Sequence, residues 1–464
     1  MPQPGKTHQQ SQTRPTGTPL SRAMQPINTL VEQWTPTALF FGIALTFVVA
    51  TLAFVLTPAG PLEVLGGWGE GLSGLLEFMT QMALVLMLGH MLAHTGPVSR
   101  LLDRLAAIPR TPMRAYLFVF MVAGVASLIT WGLGLVVGAL MAKEVAKVGR
   151  ERGLKLHFPM LVAAGFSGFV VWHMGYSGSG PLTAATADSI IAESLQGQTI
   201  PVTRTIFSTW NLLAIVATLL VVGLALFLIA PRDPEQAHEL PEGADADPDA
   251  DHVDDVHTPA DRLDASRIPT TLIGLALVAY LVLNFVQGGG LSLDIVNWSF
   301  LALILLLSRN GFEVLHLTKR AAANVGDILL QFPLYAGILG IMETSGLIEL
   351  FSNALVSVAT PTTFGVLALI SAGVTNFFVP SGGGQFAVQA PIMLDAANRL
   401  GVDPAVAIMA VSYGDQWTNM IQPFWALPLL AIAGLRMRDI LGYTTVSLIA
   451  SGIVFTTTLL LVSM

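Results

Sequence analysis

Cysteine is absent from the 464 residues, which removes disulfide, iron–sulfur and thiolate–zinc chemistry from consideration. Charge is scarce as well. Asp, Glu, Lys and Arg make up 11% of the chain, against roughly 25% in a soluble domain. None of them falls between Glu349 and Asp395, or between Ala115 and Ala142. No Gly-x-x-x-x-Gly-Lys motif occurs, so an ATP-driven pump is disfavoured. The N-terminal stretch to Gln33 lacks the apolar core of a secretory signal, and no cleavage is expected. The net charge of −8 gathers in one acidic loop and points to no nucleic-acid partner.

What remains is apolar. Hydrophobic residues form 53% of the chain and the mean hydropathy is +0.67, the composition of an all-α polytopic membrane protein. Segments of about 20 apolar residues, enough to span a bilayer, recur along its length. The reading places full spans near 36–57, 75–94, 205–229, 270–286, 295–307, 328–342 and 441–461, with residues 58–73 as a loop between two of them. Two further segments, 158–190 and 404–433, are long but interrupted. Two uncharged stretches, 115–142 and 363–399, suit re-entrant hairpins. The expectation is about nine full spans plus two hairpins. Leu101, Leu102 and Leu105 opposite Arg100, Asp103 and Arg104 predict a short helix on the membrane surface. Residues 231–267, dense in Asp, Glu, Pro and Ala, are expected to be a disordered linker rather than a calcium site.

The most telling stretch is 377–385, Phe-Phe-Val-Pro-Ser-Gly-Gly-Gly-Gln. Proline and three glycines cannot continue a helix, and irregular backbone at membrane depth persists only inside protein or along a wet cavity. The same plan appears earlier in the chain. Thr111-Pro112 matches Thr360-Pro361, and Trp131-Gly132 then falls opposite Pro380-Ser381. Ser167 and Trp172 fall opposite Ser412 and Trp417, and His173 opposite Thr418. The chain therefore divides into a tail (1–33), a first half (34–230), the acidic loop (231–267), one linking span (268–290) and a second half (291–464). An odd linking span inverts the second half, the inverted-repeat plan of secondary transporters. Lys and Arg cluster in the tail, at 100–114, 143–155, 309–320 and 436–438. The excess of positive residues on cytoplasmic loops then places the N-terminus inside and the C-terminus outside.

Four breaks converge at the midplane: two hairpin tips and two helix interruptions. Helix N-termini there offer free N–H groups and partial positive charge to an anion. Candidate contacts are Thr130, Trp131, Gly132, His173, Ser177, Gly178, Ser179, Asn376, Pro380, Ser381, Gly382, Gly383, Gly384, Gln385, Trp417, Thr418, Asn419 and Gln422. For each polar member, a helix cap or interhelical hydrogen bond is the structural alternative. Asp415 is the ionisable residue deepest in a span and the candidate for a coupling sodium ion or proton, with Asn419 beside it. His173 is the second candidate proton site. Trp131, Trp172, Trp417 and Phe424 are candidate pocket walls, whereas His90, His94 and Glu77 are read as packing residues. An intramembrane aspartyl protease would need Asp188 or Asp327 to face Asp415.

Two motifs now carry a resemblance. Val379-Pro380-Ser381-Gly382-Gly383-Gly384-Gln385 with Ala390-Pro391-Ile392, and Gly414-Asp415-Gln416-Trp417-Thr418-Asn419-Met420-Ile421-Gln422-Pro423, resemble the short-chain fatty acid transporter family of the AtoE kind. Trp131–Gly138 and Gly175–Leu182 match the other half of that pattern. The resemblance implies uptake of acetate, butyrate or acetoacetate across a bacterial or archaeal inner membrane, with no enzymatic activity and no cofactor beyond a coupling sodium ion or proton. The layout is more distantly similar to divalent anion/sodium symporters, which implies a homodimer moving its substrate by an elevator-like motion. Those symporters carry Ser-Asn-Thr at both tips, where this chain has Thr130-Trp131-Gly132 and Pro380-Ser381-Gly382. Dicarboxylate or other small-anion transport is the alternative.

Overall fold

The computed structural model describes residues 38–187, 189–195, 197–231, 238–240, 256–323, 325–376 and 382–463. All regular structure among them is helical. The first half runs α1 (Ala38–Leu56), α2 (Pro61–Gly71), α3 (Leu76–Ala93), α4 (Gly96–Ala106), α5 (Pro112–Ile129), α6 (Trp131–Glu151), α7 (Phe158–Gly168), α8 (Ser179–Ala185), α9 (Ile190–Ser194) and α10 (Thr209–Ile229). Two helices, α11 (Pro259–Asp264) and α12 (Arg267–Val286), lead to the second half. It runs α13 (Leu293–Leu307), α14 (Gly311–Ala322), α15 (Gly326–Ser345), α16 (Leu347–Val358), α17 (Pro361–Asn376), α18 (Gly382–Leu400), α19 (Pro404–Thr418), α20 (Pro423–Ala433) and α21 (Met437–Val462).

Apart from α9, the helices of the two halves follow one order, and their contacts are reciprocal. Helix α2 packs on α15 as α14 packs on α3, and α1 packs on α15 as α13 packs on α3. Helix α5 lies on α7 as α17 lies on α19, while α10 and α21 pack on each other. Both hairpins start alike. Thr111 Oγ1 accepts from the Arg114 N–H, and Thr360 Oγ1 from the Thr363 N–H, caps that satisfy donors left free at a helix start. The first hairpin turns on one residue, Thr130, in extended conformation (φ −154°, ψ 139°). Its arms of 18 and 21 residues reach about 27 and 31 Å at 1.5 Å per residue.

Among the described residues, seven helices have the length and hydropathy to cross a bilayer, and Gly42–Leu56 and Leu293–Leu307 are shorter apolar helices. The Leu101 face proves helical over Gly96–Ala106. Residues 58–73, read as a loop, instead contain α2. Its signal is steric rather than hydrophobic: a Cβ on Gly340 would overlap the Gly67 carbonyl, and one on Gly71 would lie 2.7 Å from the Ala336 carbonyl oxygen. Small residues let the two backbones touch. Nor does the expected disorder extend through the whole acidic loop. His238 to Leu240 return to the protein, where the His238 carbonyl accepts from the Phe158 N–H at 2.8 Å and Leu240 is buried. Further on, the Thr258 hydroxyl and the Asp261 carboxylate cap α11 reciprocally.

Two hydrophobic cores result. One is built from both hairpins, both interrupted helices, α10 and α21. The other is built mainly from α1–α3 and α13–α15. Helix α18 joins the second core through Ala387, Val388 and Ile392, and α8 joins it through Leu182. Helix α12 leans on α13 and leaves Leu272, Leu275, Val282 and Val286 exposed, as a lipid-facing span does.

Candidate functional site

The first interruption begins where α7 tightens into a 3₁₀ turn over Phe169–Met174, every residue of it buried. Gly175 to Gly178 then run to the start of α8. This segment seats the first hairpin tip. The Trp131 backbone N–H donates to Ser177 Oγ at 3.2 Å, and the Tyr176 backbone N–H to the Leu128 carbonyl at 2.7 Å. Gly175 allows the approach, since a Cβ there would overlap the Leu128 backbone. Gly132 lies against α3, near the Leu86 carbonyl.

The second interruption is a 3₁₀ turn, Asn419–Ile421, followed by Gln422 in extended conformation. It is tied to the end of α17. Asn376 Nδ2 lies 2.9 Å from the Asp415 carbonyl, 2.9 Å from Thr418 Oγ1 and 2.6 Å from Asn419 Oδ1, three acceptors for its two hydrogens. Gln422 Nε2 donates to the Asn376 carbonyl at 2.8 Å, and Thr418 Oγ1 to the Gly373 carbonyl at 3.0 Å. Gln385 Nε2 donates to the Ala372 carbonyl at 2.8 Å. Pro380 and Ser381, with the rest of 377–381, lie outside the described residues.

The two interruptions meet at His173 and Asp415, both essentially fully buried. His173 Nδ1 is 3.0 Å from Asp415 Oδ2. The His173 backbone N–H donates to Gln416 Oε1 at 2.9 Å, and the Gly180 N–H donates to His173 Nε2 at 3.0 Å. Trp172 stacks on the imidazole at 4.0 Å between centroids. Around it, Trp131, Phe169 and Trp425 form an aromatic cluster with Trp172 at spacings of 5.5–6.2 Å. Gly382 fits between Trp172 and Asp415: its Cβ position overlaps the indole ring and lies 3.3 Å from Asp415 Oδ2.

Several buried polar atoms at this junction have no protein partner, and burying such groups unpaired costs about 1–3 kcal/mol each. The first half contributes Thr130 Oγ1, the Trp131 and Trp172 indole N–H groups and Ser179 Oγ, all able to donate. The second half contributes the acceptors Asp415 Oδ1, Asn376 Oδ1, Gln385 Oε1 and Gln422 Oε1, and the donors Gln416 Nε2 and Asn419 Nδ2. Among the described residues no Lys or Arg is buried. Neutral donors at helix starts suit one carboxylate; the carboxylate and amide oxygens suit a proton or a hard cation.

A cavity of about 210 Å³ approaches this junction between α2, α3, α8, α13 and α15. Glu77, Gln81, Thr183, Thr186 and Glu343 line it, so Glu77 faces open space rather than packing. Phe78 also lines it and lies against the Cβ position of Gly383, at the start of α18.

The breaks hence bring together most of the residues singled out from the sequence. Trp417 is an exception. Half-buried, it donates its indole N–H to the Leu448 carbonyl at 2.8 Å and packs on Gly452 of α21, away from the cluster. Trp425, Phe169 and Gln416 were not foreseen. The pairing of Ser167 and Trp172 with Ser412 and Trp417 hid Trp425, which reaches the cluster from the start of α20.

The family profile described as "Short chain fatty acid transporter" matches residues 19–462. A protein of Escherichia coli (strain K12), named among the short-chain fatty acid transporters, is 39% identical over 94% of this chain and 98% of its own. One of Haemophilus influenzae (Rd), named likewise, is 35% identical with the same coverage. Among solved structures, the YdaH transporter of Alcanivorax borkumensis superposes with a TM-score of 0.54 at 17% identity, covering 91% of this chain and 98% of that one. MtrF of Neisseria gonorrhoeae gives 0.51 at 16%, covering 94% and 97%. These two likenesses concern the fold.

Proposed function

The chain belongs to the short chain fatty acid transporter family, and on that premise we propose a secondary carrier for short-chain monocarboxylates of the acetate, butyrate and acetoacetate class, rather than an enzyme. The observation that carries the reading is the set of four buried, unpartnered donors on Thr130, Trp131, Trp172 and Ser179, in a junction where no described Lys or Arg is buried. Such donors suffice for one carboxylate. A second carboxylate would ordinarily call for a cationic partner.

Transport runs by alternating access and is coupled to a proton or sodium gradient. Most of the site sits in the hairpin-containing core, while α8 and α18 also reach the core built mainly from α1–α3 and α13–α15; displacement of the first core along the second is an elevator motion. The carrier sits in a bacterial or archaeal inner membrane, as a homodimer, with the N-terminus inside and the C-terminus outside. The clusters of Lys and Arg support that orientation.

The test is uptake of labelled butyrate into proteoliposomes over protein-free vesicles, under imposed proton or sodium gradients, with succinate as competitor. Gradient-driven butyrate accumulation indifferent to succinate is expected. Succinate uptake without butyrate uptake would overturn the monocarboxylate reading.

A further inference from the structure

Asp415 is the only buried carboxylate among the described residues, and its geometry specifies more than proximity to His173. The Gly180 backbone amide can only donate, so His173 Nε2, its acceptor at 3.0 Å, bears a lone pair. A neutral imidazole then carries its proton on Nδ1, where it is donated to Asp415 Oδ2 at 3.0 Å. The hydrogen-bond network assigns this tautomer. A second proton on the ring would have to sit on Nε2, facing the Gly180 N–H. Stacking on Trp172 and the His173 N–H bond to Gln416 Oε1 hold the ring in place. His173, a candidate proton site by sequence, is thereby occupied at both nitrogens.

Asp415 Oδ2 is taken as well. Oδ1 is buried without a partner. Among the described residues no other charged group faces it: α8, α17 and the two 3₁₀ turns contain none besides His173. On α18, Asp395 pairs with Arg399 at 3.6 Å near the solvent-exposed end. On α21, Arg438 and Asp439 lie together at the exposed start, and the Tyr443 ring contacts His157. On α19 itself, the Tyr413 hydroxyl donates to Asn211 Oδ1.

We propose that the coupling ion is a proton carried on Asp415 Oδ1, one for each monocarboxylate, with His173 as a positioning residue that does not itself exchange the proton. This rests on the proposed function and deepens it. Trp172 and Asp415 both border Gly382, so a substrate carboxylate reaching the Trp172 N–H arrives beside Asp415. Two unscreened negative charges there would repel strongly, and an isolated charge at membrane depth is costly. A proton on Oδ1 removes the conflict. It is taken from water on one side with the substrate anion and released with it on the other. The cycle moves no net charge.

Two measurements test this on the full-length chain in lipid. The first is pH-difference infrared spectroscopy without substrate. It should show a protonated buried carboxyl band that disappears in Asp415→Asn and persists in His173→Asn, whose amide can still donate to Oδ2. Absence of the band, or its loss in His173→Asn but not in Asp415→Asn, overturns the assignment whatever the substrate is. The second is butyrate transport. Wild-type uptake should follow the pH gradient, ignore an inside-negative potential and survive replacement of sodium by choline. Asp415→Asn should retain butyrate exchange at a reduced, pH-independent rate, while its accumulation falls to that of protein-free vesicles. Gradient-driven accumulation by Asp415→Asn, or a requirement for sodium, would refute the proton. An infrared band of the expected kind with no butyrate flux would sink the substrate reading and leave the proton site standing.

Discussion

Removing one indole N–H while keeping an aromatic ring separates a ligand contact from a packing contact, and the structure supplies a matched pair for doing so. The Trp131 N–H is buried with no protein acceptor, whereas the Trp417 N–H donates to the Leu448 carbonyl at 2.8 Å. A hydrogen bond to a charged group contributes about 1.5–3 kcal/mol. At about 1.4 kcal/mol per tenfold, losing one to a bound carboxylate weakens binding about 10–150-fold. Trp131→Phe is therefore expected to raise KM for butyrate within that range. Its stability should change little, because the deleted donor had no partner to lose and the smaller ring's lost packing is partly offset. Trp417→Phe should do the reverse, lowering stability by about 1 kcal/mol through the loss of that hydrogen bond and leaving KM untouched. Transport kinetics in proteoliposomes and thermal unfolding in detergent read the two effects separately. If Trp131→Phe leaves KM within twofold while lowering Tm, that indole is part of the packing and the donor argument fails.

Gly340→Val places a branched side chain where even a Cβ overlaps the Gly67 carbonyl. It should separate α2 from α15 and abolish the monodisperse peak in size-exclusion chromatography, while Gly66→Ala, with open space around it, should not. The natural absence of cysteine makes single reporter thiols clean. Thr186→Cys, in the cavity, should react with a membrane-impermeant maleimide applied outside whole cells, and labelling only after permeabilisation would reverse the assigned orientation.

Much of this layout is legible from local sequence, because a helix break in an apolar run is a local event. Trp131-Gly132 marks the first tip to within a residue of the Thr130 hinge, and the Gly175–Pro181 stretch marks the first interruption, which in fact begins earlier, at Phe169. Asp415 is conspicuous as an acid inside an apolar segment. What it pairs with is not legible: His173 stands 242 positions away, and no local pattern encodes their contact. Helix α2 is hidden for a different reason. Its fit to α15 depends on missing side chains at Gly67, Gly71 and Gly340, and residues without side chains give no hydrophobic period.

The repeat itself explains why the Trp417 assignment went astray. A duplicated backbone plan fixes where helices break, but each break keeps its own side-chain chemistry. Trp172 turns into the aromatic cluster and Trp417 turns to α21. His173 reaches across to Asp415, while Thr418, its counterpart, donates to the Gly373 carbonyl within its own half. Departures from symmetry therefore concentrate at the junction. There the first half presents unpartnered donors and the second half the carboxylate. Two identical halves would have offered an anion and a cation equal welcome on both sides. If, as proposed, a substrate anion travels with a proton, the two need unlike partners, and a carrier built from a duplicated fold can supply them only by letting its two breaks diverge.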